Sequence, residues 1–329
     1  MDYLPFNAGM IPDASVLLAQ RHYRNRIRLH ELPARFEQMQ VTAKAIETLL
    51  AKRNASGFAA LRDGKFVAYL IGETTTQPWG RCGYISMPAY GLAEDESPEI
   101  IQDLYALLGE QWNQMGCFNH YAYICAADTE IVEAWFNLGF GKERVDALLD
   151  LRTAEIPKVE DPTGVEIRRV VKGDGHFLAS LSDTIWRHQT RAPRWHPITP
   201  EEIMKQPEGW AEIAETETDM AFLAFACKEA IGSLAFYVEE EKDDDMTIPP
   251  HCRYMTAAAT KESARGRGVG TTLTWHGLRQ IRENGDEFCL TNWQSANLLA
   301  ARFWPRFGFR PVAFRLARMI NPAIAWAKG

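Results

Sequence analysis

Tyr254-Met255-Thr256-Ala257-Ala258-Ala259-Thr260, followed after four residues by Arg265-Gly266-Arg267-Gly268-Val269-Gly270-Thr271, is the stretch from which the fold of this chain is read. The first part is an apolar run with the character of a buried strand. The second is a glycine-rich turn, and beyond it Leu273, Leu278 and Ile281 fall at helical spacing until Asn284-Gly285 closes the segment. A strand that feeds a glycine turn and then a helix makes an anion site, because the first amides of the helix have no acceptor within it and face outward with the positive end of the dipole. Arg265 and Arg267 add charge at the same place. A simple packing turn would also account for three glycines in five residues. Neither nucleotide fingerprint fits: no Gly-Lys-Ser/Thr closes the loop, and no acidic residue follows a second strand at ribose distance.

The sequence downstream decides between these readings. A second apolar strand, Phe288-Cys289-Leu290-Thr291-Asn292, precedes Asn297-Leu298-Leu299-Ala300-Ala301-Arg302-Phe303-Trp304-Pro305-Arg306-Phe307-Gly308-Phe309. Arg265, Gly268 and Gly270 match the Arg-x-x-Gly-x-Gly pyrophosphate motif of the GNAT superfamily of acyl-CoA-dependent N-acyltransferases. Asn297, Ala300, Gly308 and Phe309 match that family's later motif, in the right order and about thirty residues on. The chain therefore resembles a GNAT protein.

A repeat doubles the resemblance. Asp128 to Phe140 reproduces the spacing of Asn297 to Phe309, with Ile131 for Ala300, Trp135 for Trp304 and Gly139-Phe140 for Gly308-Phe309. The hairpin around Asp63-Gly64 reappears around Cys227-Lys228, and both offsets are near half the chain length. The fold class expected is α/β (α+β): two tandem GNAT-like domains, each a mixed, mostly antiparallel central sheet flanked by helices. Pro157, Asp161-Pro162 and Gly164 mark the join, so the boundaries are drawn at 1–156 and 163–329. In the first half Glu94, Asp95 and Glu96 stand where the glycine turn would be, and three carboxylates repel a pyrophosphate. That half is read as a degenerate copy, and a single active site is expected in the second.

Composition is compatible with this. The 329 residues suffice for two domains, and 46% hydrophobic with 24% charged residues is ordinary for a soluble protein. A net charge of −7 argues against a nucleic-acid partner. No apolar run approaches membrane-spanning length, and the N-terminus lacks signal-peptide regions, so a cytoplasmic protein is expected. The six cysteines are widely spaced, offer no metal site, and read mostly as buried thiols. Arg21, Arg24, Arg26 and Arg28 read as a solvated face of an N-terminal helix, and Glu239 to Asp245 as an exposed acidic loop.

The resemblance implies direct attack of a primary amine on the thioester of acetyl-CoA, with no metal. It assigns the pyrophosphate to the turn from Arg265 through Gly266, Arg267, Gly268, Val269 and Gly270 to Thr271. The pantetheine arm runs along Ala259 and Thr260, an amide near Ala258 is the oxyanion donor, and Asn297 holds the arm or simply caps its helix. Asn292, at the end of its strand, positions substrate. The family's acidic tyrosine, seven residues after the motif asparagine, is replaced by Trp304, whose indole only donates hydrogen bonds. A thiolate leaving group of pKa about 8.5 tolerates that loss. Trp186, His188, Trp195 and His196 fall in the region that floors the acceptor site in this fold, and no residue is singled out as the base. Two alternatives stay open: a non-catalytic acyl-CoA-binding protein or sensor, and a tandem acyltransferase of the mycothiol-synthase type with another small-molecule acceptor. The partners expected are acetyl-CoA and an amine, with neither nucleic acid nor membrane.

Overall fold

The computed structural model describes residues 1–76, 80–216 and 219–327, which divide into two compact units. The first comprises Met1–Ala147, Glu241–Pro249 and Pro311–Gly329; the second comprises Leu148–Glu240 and Pro250–Arg310.

The first unit opens with β1 (Asp2–Pro5) and the helices α1 (Ile11–Arg28) and α2 (Met39–Leu50). The hairpin expected around Asp63-Gly64 is β2 (Ala55–Arg62) and β3 (Lys65–Thr75), turning with both residues at positive φ. β4 (Cys82–Ile85) and β5 (Tyr90–Leu92) follow as two short segments that both pair with β3. The remainder is α3 (Glu99–Gln114), β6 (Asn119–Cys125), α4 (Thr129–Asn137) and β7 (Gly141–Asp150). Burial alternates along the first residues of β6, so His120, Ala122 and Ile124 face a core that includes Trp112, Tyr105 and Trp135. Trp135 stands edge-on to Phe140 at 4.8 Å and to Tyr105 at 5.2 Å, an arrangement that adds about 1 kcal/mol per pair beyond area burial.

The second unit contains β8 (Glu166–Arg169), α5 (Gly175–Ala179), α6 (Asp183–Gln189), α7 (Pro200–Glu212), β9 (Met220–Ala226), β10 (Glu229–Glu239), β11 (Cys252–Thr260), α8 (Val269–Glu283), β12 (Phe288–Gln294) and α9 (Leu298–Phe303). Its strands lie in the order β8-β9-β10-β11-β12, antiparallel except for the parallel β11–β12 pair. Both faces are covered. On one, α8 lies so close that a Cβ on Gly277 would stand 2.5 Å from Phe236. On the other, Leu178, Leu181, Trp210 and Ile213 pack on Leu223, Phe225, Ala235 and Ala257. β9 and β10 are nearly continuous apolar runs for this reason: strands buried on both faces have no polar side to alternate with.

The last strand, β13 (Arg310–Met319), follows α9 in sequence but pairs antiparallel with β6, from Ala313 opposite Cys125 to Met319 opposite Asn119. Each unit is thus a mixed, mostly antiparallel sheet flanked by helices, as the repeat implies.

Two surface readings are corrected. Arg21 is only 3% exposed: its guanidinium donates to the carbonyls of Tyr90 (2.6 Å) and Met87 (2.8 Å) and stacks 3.7 Å from the Tyr90 ring centre. Those bonds compensate the burial of a charge that water would otherwise solvate. The acidic loop is exposed only in part. Arg35 binds the carbonyl of Lys242, Lys52 approaches Asp244 at 3.5 Å, and Met246, Thr247 and Ile248 are buried within the first unit. The apolar residues after Asp245 supply the burial, and the preceding acids follow them to the surface arginine and lysine.

Candidate active site

The second unit assembles the sequence-derived residues around a break in its sheet. β11 and β12 pair only from Cys252–Tyr254 opposite Phe288–Leu290. Farther along, β11 carries a bulge: Ala235 faces Thr256 and Ser233 faces Ala259, which leaves Ala257 and Ala258 opposite Leu234 alone. Ala257 is at φ +47, and the buried Ser233 hydroxyl donates to its carbonyl at 2.9 Å. A bulge of this kind re-aims backbone groups out of the ladder. Ala258 is exposed, whereas Ala257 and Ala259 are buried, so the segment presents one residue to the opening.

The glycine turn stands at the end of β11. Gly266 (φ +76) and Gly268 (φ +84) are both left-handed, the conformation that glycine adopts without penalty. Gly268 is the N-cap of α8 and offers no side chain to its amides. The first backbone bond of the helix runs from Thr272 N to Gly268 O at 2.9 Å, so the amides of Val269, Gly270 and Thr271 have no acceptor within the helix. Arg265 donates to Thr260 O at 3.3 Å, which folds its side chain back beside β11, and Arg267 is exposed. Amides, dipole and guanidinium converge on a patch where a Cβ on Gly266 would meet nothing within 4 Å. The residues present fit a pyrophosphate.

Across the break, Asn297 caps α9: its Oδ1 accepts from Ala300 N at 3.3 Å. The same oxygen lies 3.1 Å from Nε2 of His188 on α6. A carbonyl oxygen only accepts, so His188 carries its proton on Nε2 in this contact. Two residues beyond α6, Arg191 reaches Glu262 at 3.3 Å, so this arm makes contacts beyond the ends of both β11 and β12. Asn292 is half-buried and its amide donates to the phenol of Tyr254 on the neighbouring strand. Trp304 is 7% exposed and packs between Phe303, at 4.8 Å, and Phe309, at 6.0 Å. It is a core residue there. Phe303 and Phe307 stack on each other at 4.9 Å, in keeping with a packing role.

Beside the bulge lies a cavity of about 330 Å³, walled by Ile185, Trp186, Trp210, Ile213, Tyr237 and Ala257. Its polar lining is Gln189, His196, Glu202, Gln206 and Thr256. The Glu202 carboxylate accepts from Thr199 N at 2.7 Å in a capping box, which holds its carboxyl below the usual range. Burial raises the Tyr237 phenol, with Asp219 and Tyr254 acting in the same direction. Arg194 lies 3.0 Å from His196 Nδ1; since a guanidinium only donates, that nitrogen accepts and the proton sits on Nε2. Of the four residues singled out near the acceptor, Trp186 and His196 line the cavity, His188 turns to Asn297, and Trp195 is 70% exposed. Tyr237, Tyr254 and Glu202 were not legible as site residues, because their placement depends on strand register and on the docking of α7.

The corresponding place in the first unit has another content. Arg21 occupies the carbonyls of Met87 and Tyr90, Glu94 lies 3.7 Å from Arg24, and Glu96 is paired with Arg62 at 2.7 Å.

Residues 183–309 match the model of the acetyltransferase (GNAT) family. This part of the chain is similar to the GNAT family. No curated protein sequence matches the chain. Among solved structures, a GCN5-related N-acetyltransferase from Sphaerobacter thermophilus is similar at 15% identity over 97% of this chain and 96% of that one, with a TM-score of 0.57. A GCN5-related glucosamine N-acetyltransferase region of a fungal multi-domain β-N-acetylglucosaminidase gives 0.54 at 13% identity, over 96% of this chain and 38% of that one. A tandem GNAT protein from the clavulanic acid biosynthesis pathway gives 0.49 at 13% identity over 98% and 99%. The first two likenesses, both with a TM-score above 0.5, establish the fold. GNAT proteins use acetyl-CoA as co-substrate, and no described helix here is long and apolar enough to cross a membrane.

Proposed function

We propose that this protein is a cytoplasmic N-acetyltransferase that moves an acetyl group from acetyl-CoA to a primary amine, with one active site, in the second unit. The observation that carries the reading is the bulge at Ala257–Ala258 beside the opened β11–β12 pair, at the end of a strand that leads into the glycine turn. The amides of Val269, Gly270 and Thr271, with Arg265 and Arg267, hold the pyrophosphate. Ala259 and Thr260 flank the pantetheine arm, and Asn297 bonds it from the far side. The Ala258 amide meets the thioester oxygen as it becomes an oxyanion, a donor of a kind that contributes roughly 3 kcal/mol. Asn292, fixed on Tyr254, positions the acceptor.

In the reaction the amine, once deprotonated, forms the new C–N bond and the C–S bond breaks. The coenzyme leaves as a thiolate and takes up the proton that the amine gives up. With Trp304 packed in the core, that proton arrives through solvent or the acceptor itself. The same residue favours a second reading, a non-catalytic acyl-CoA binder. Titration calorimetry with acetyl-CoA tests the site: one equivalent per chain is expected, and two would show that the first unit also binds. Release of free thiol on adding amines separates enzyme from binder, and an acetylated product would eliminate the binder.

A further inference from the structure

The cavity beside the bulge has a chemistry that narrows the acceptor, given the acetyl-transfer site just proposed. It borders Thr256 and Ala257, next to the residue whose amide is assigned to the thioester oxygen, so a molecule held in it lies beside that amide. Its apolar walls are two indoles, a phenol and five aliphatic side chains, set against the five polar residues named above. No lysine or arginine is among its described lining residues, and its carboxylate, Glu202, is pinned on the first turn of α7 by Thr199. The adjoining guanidinium, Arg194, is turned to His196 Nδ1. Aromatic faces and a fixed carboxylate favour a cation, and an apolar wall favours a hydrocarbon body. A carboxylate or phosphate on the acceptor would meet Glu202 with no lining cation to balance it.

We propose that the cavity bounded by Trp186, Trp210, Tyr237 and Glu202 takes a compact aryl- or alkylamine that carries no carboxylate or phosphate. The ammonium approaches between Glu202 and the aromatic faces, and the hydrocarbon lies against Ile185, Ile213 and Trp210. Amino acids, whose carboxylate is adjacent to the amine, are poor acceptors.

Gly209 provides an independent handle. It lines the cavity from α7, its φ is not left-handed, and a Cβ there would meet nothing within 4 Å. A leucine at this position therefore projects into open space, and it favours the helix over glycine.

The test uses the full chain with acetyl-CoA and a matched panel: 2-phenylethylamine, tryptamine, hexylamine and phenylalanine, read by thiol release. The first three are expected to exceed phenylalanine by about tenfold in kcat/KM, the order that one like-charge contact with the exposed Glu202 costs. Gly209→Leu should raise KM for the best amine about tenfold, by taking volume that a hydrocarbon group would fill, while the Kd for acetyl-CoA stays unchanged. Equal or better use of phenylalanine overturns the inference and leaves the acetyl-transfer reading standing. An unchanged KM in Gly209→Leu likewise overturns it, as does stoichiometric acetyl-CoA binding with no amine used. Failure of acetyl-CoA to bind removes the underlying reading along with it.

Discussion

Replacing Gly268 tests whether the start of α8 is an anion site, and a matched pair of substitutions separates charge from backbone strain. Gly268 has φ +84, so any other residue pays for the left-handed conformation, about 1–2 kcal/mol. Asn and Asp visit that region more readily than other residues, and they are isosteric. The nearest atom to an added Cβ is Pro162 Cγ at 3.8 Å, so neither side chain meets a steric barrier. Gly268→Asn and Gly268→Asp should therefore lose similar stability, while only Asp sets a negative charge at the amides of Val269 to Thr271. At about 6 Å and an effective dielectric of about 40, each unit of like charge costs roughly 1.4 kcal/mol. A pyrophosphate with two charges then loses about 3 kcal/mol, reduced by salt at a Debye length of about 8 Å. The expected outcome is a Kd for acetyl-CoA tenfold to a hundredfold weaker in Gly268→Asp than in Gly268→Asn, with the gap narrowing as salt rises. Thermal melts of both variants check that the strain is shared, and Gly268→Glu should weaken binding to a similar extent as Gly268→Asp. Equal Kd values for Asn and Asp in a calorimetric titration would refute the placement of the anion.

Other expectations concern the core and the caps. Trp304→Tyr should leave the protein soluble and folded at a cost of about 1–3 kcal/mol, because a smaller ring then sits against Phe303 and Phe309; failure to obtain soluble protein would contradict this. Gly277→Ala should lower the denaturant midpoint, since overpacking Phe236 costs about 1–3 kcal/mol and helix propensity returns only about 1. A stabilised variant would mean that the Phe236 ring yields freely. Asn297→Ser should keep the α9 cap, worth about 1 kcal/mol, yet weaken acetyl-CoA binding, whereas Asn297→Ala should lose both. Unchanged affinity in both variants would reduce Asn297 to a cap.

Stability should also fall with acid. His22 and His120 are buried, and burial pushes both down to about 4. Both are held as neutral imidazoles: His22 donates to Pro33 O, while His120 donates to Cys117 O and accepts from Tyr105. The unfolded chain binds these protons first, near pH 6.5, so stability is full above that value. It declines as pH falls towards 4, by an order of 3 kcal/mol per histidine. Denaturant melts at pH 7 and pH 4.5 measure this, and His120→Gln should flatten part of the slope.

Local patterns in the sequence were sufficient for much of the fold. The strand–turn–helix at Tyr254 to Ile281, the hairpin at Asp63-Gly64 and the cap at Asn297 depend on residues a few positions apart, whose periodicity and turn chemistry act within one element. The repeat could be read because both copies preserve the same local spacing. Partner choice was not legible. That β13 pairs with β6, that Arg21 is buried on the carbonyls of Met87 and Tyr90, and that Asn292 meets Tyr254 depend on register between segments far apart in the chain. A strand or a helix face carries a pattern of burial but no address for what buries it. Apolar surface is attracted to any complementary surface, and the winner is set by the closure of the whole unit. The sequence by itself thus determined where an anion could bind and which elements surround it; the tertiary structure alone decided which side chains wall the cavity at Ala257, because those walls come from α6, α7 and β10 together.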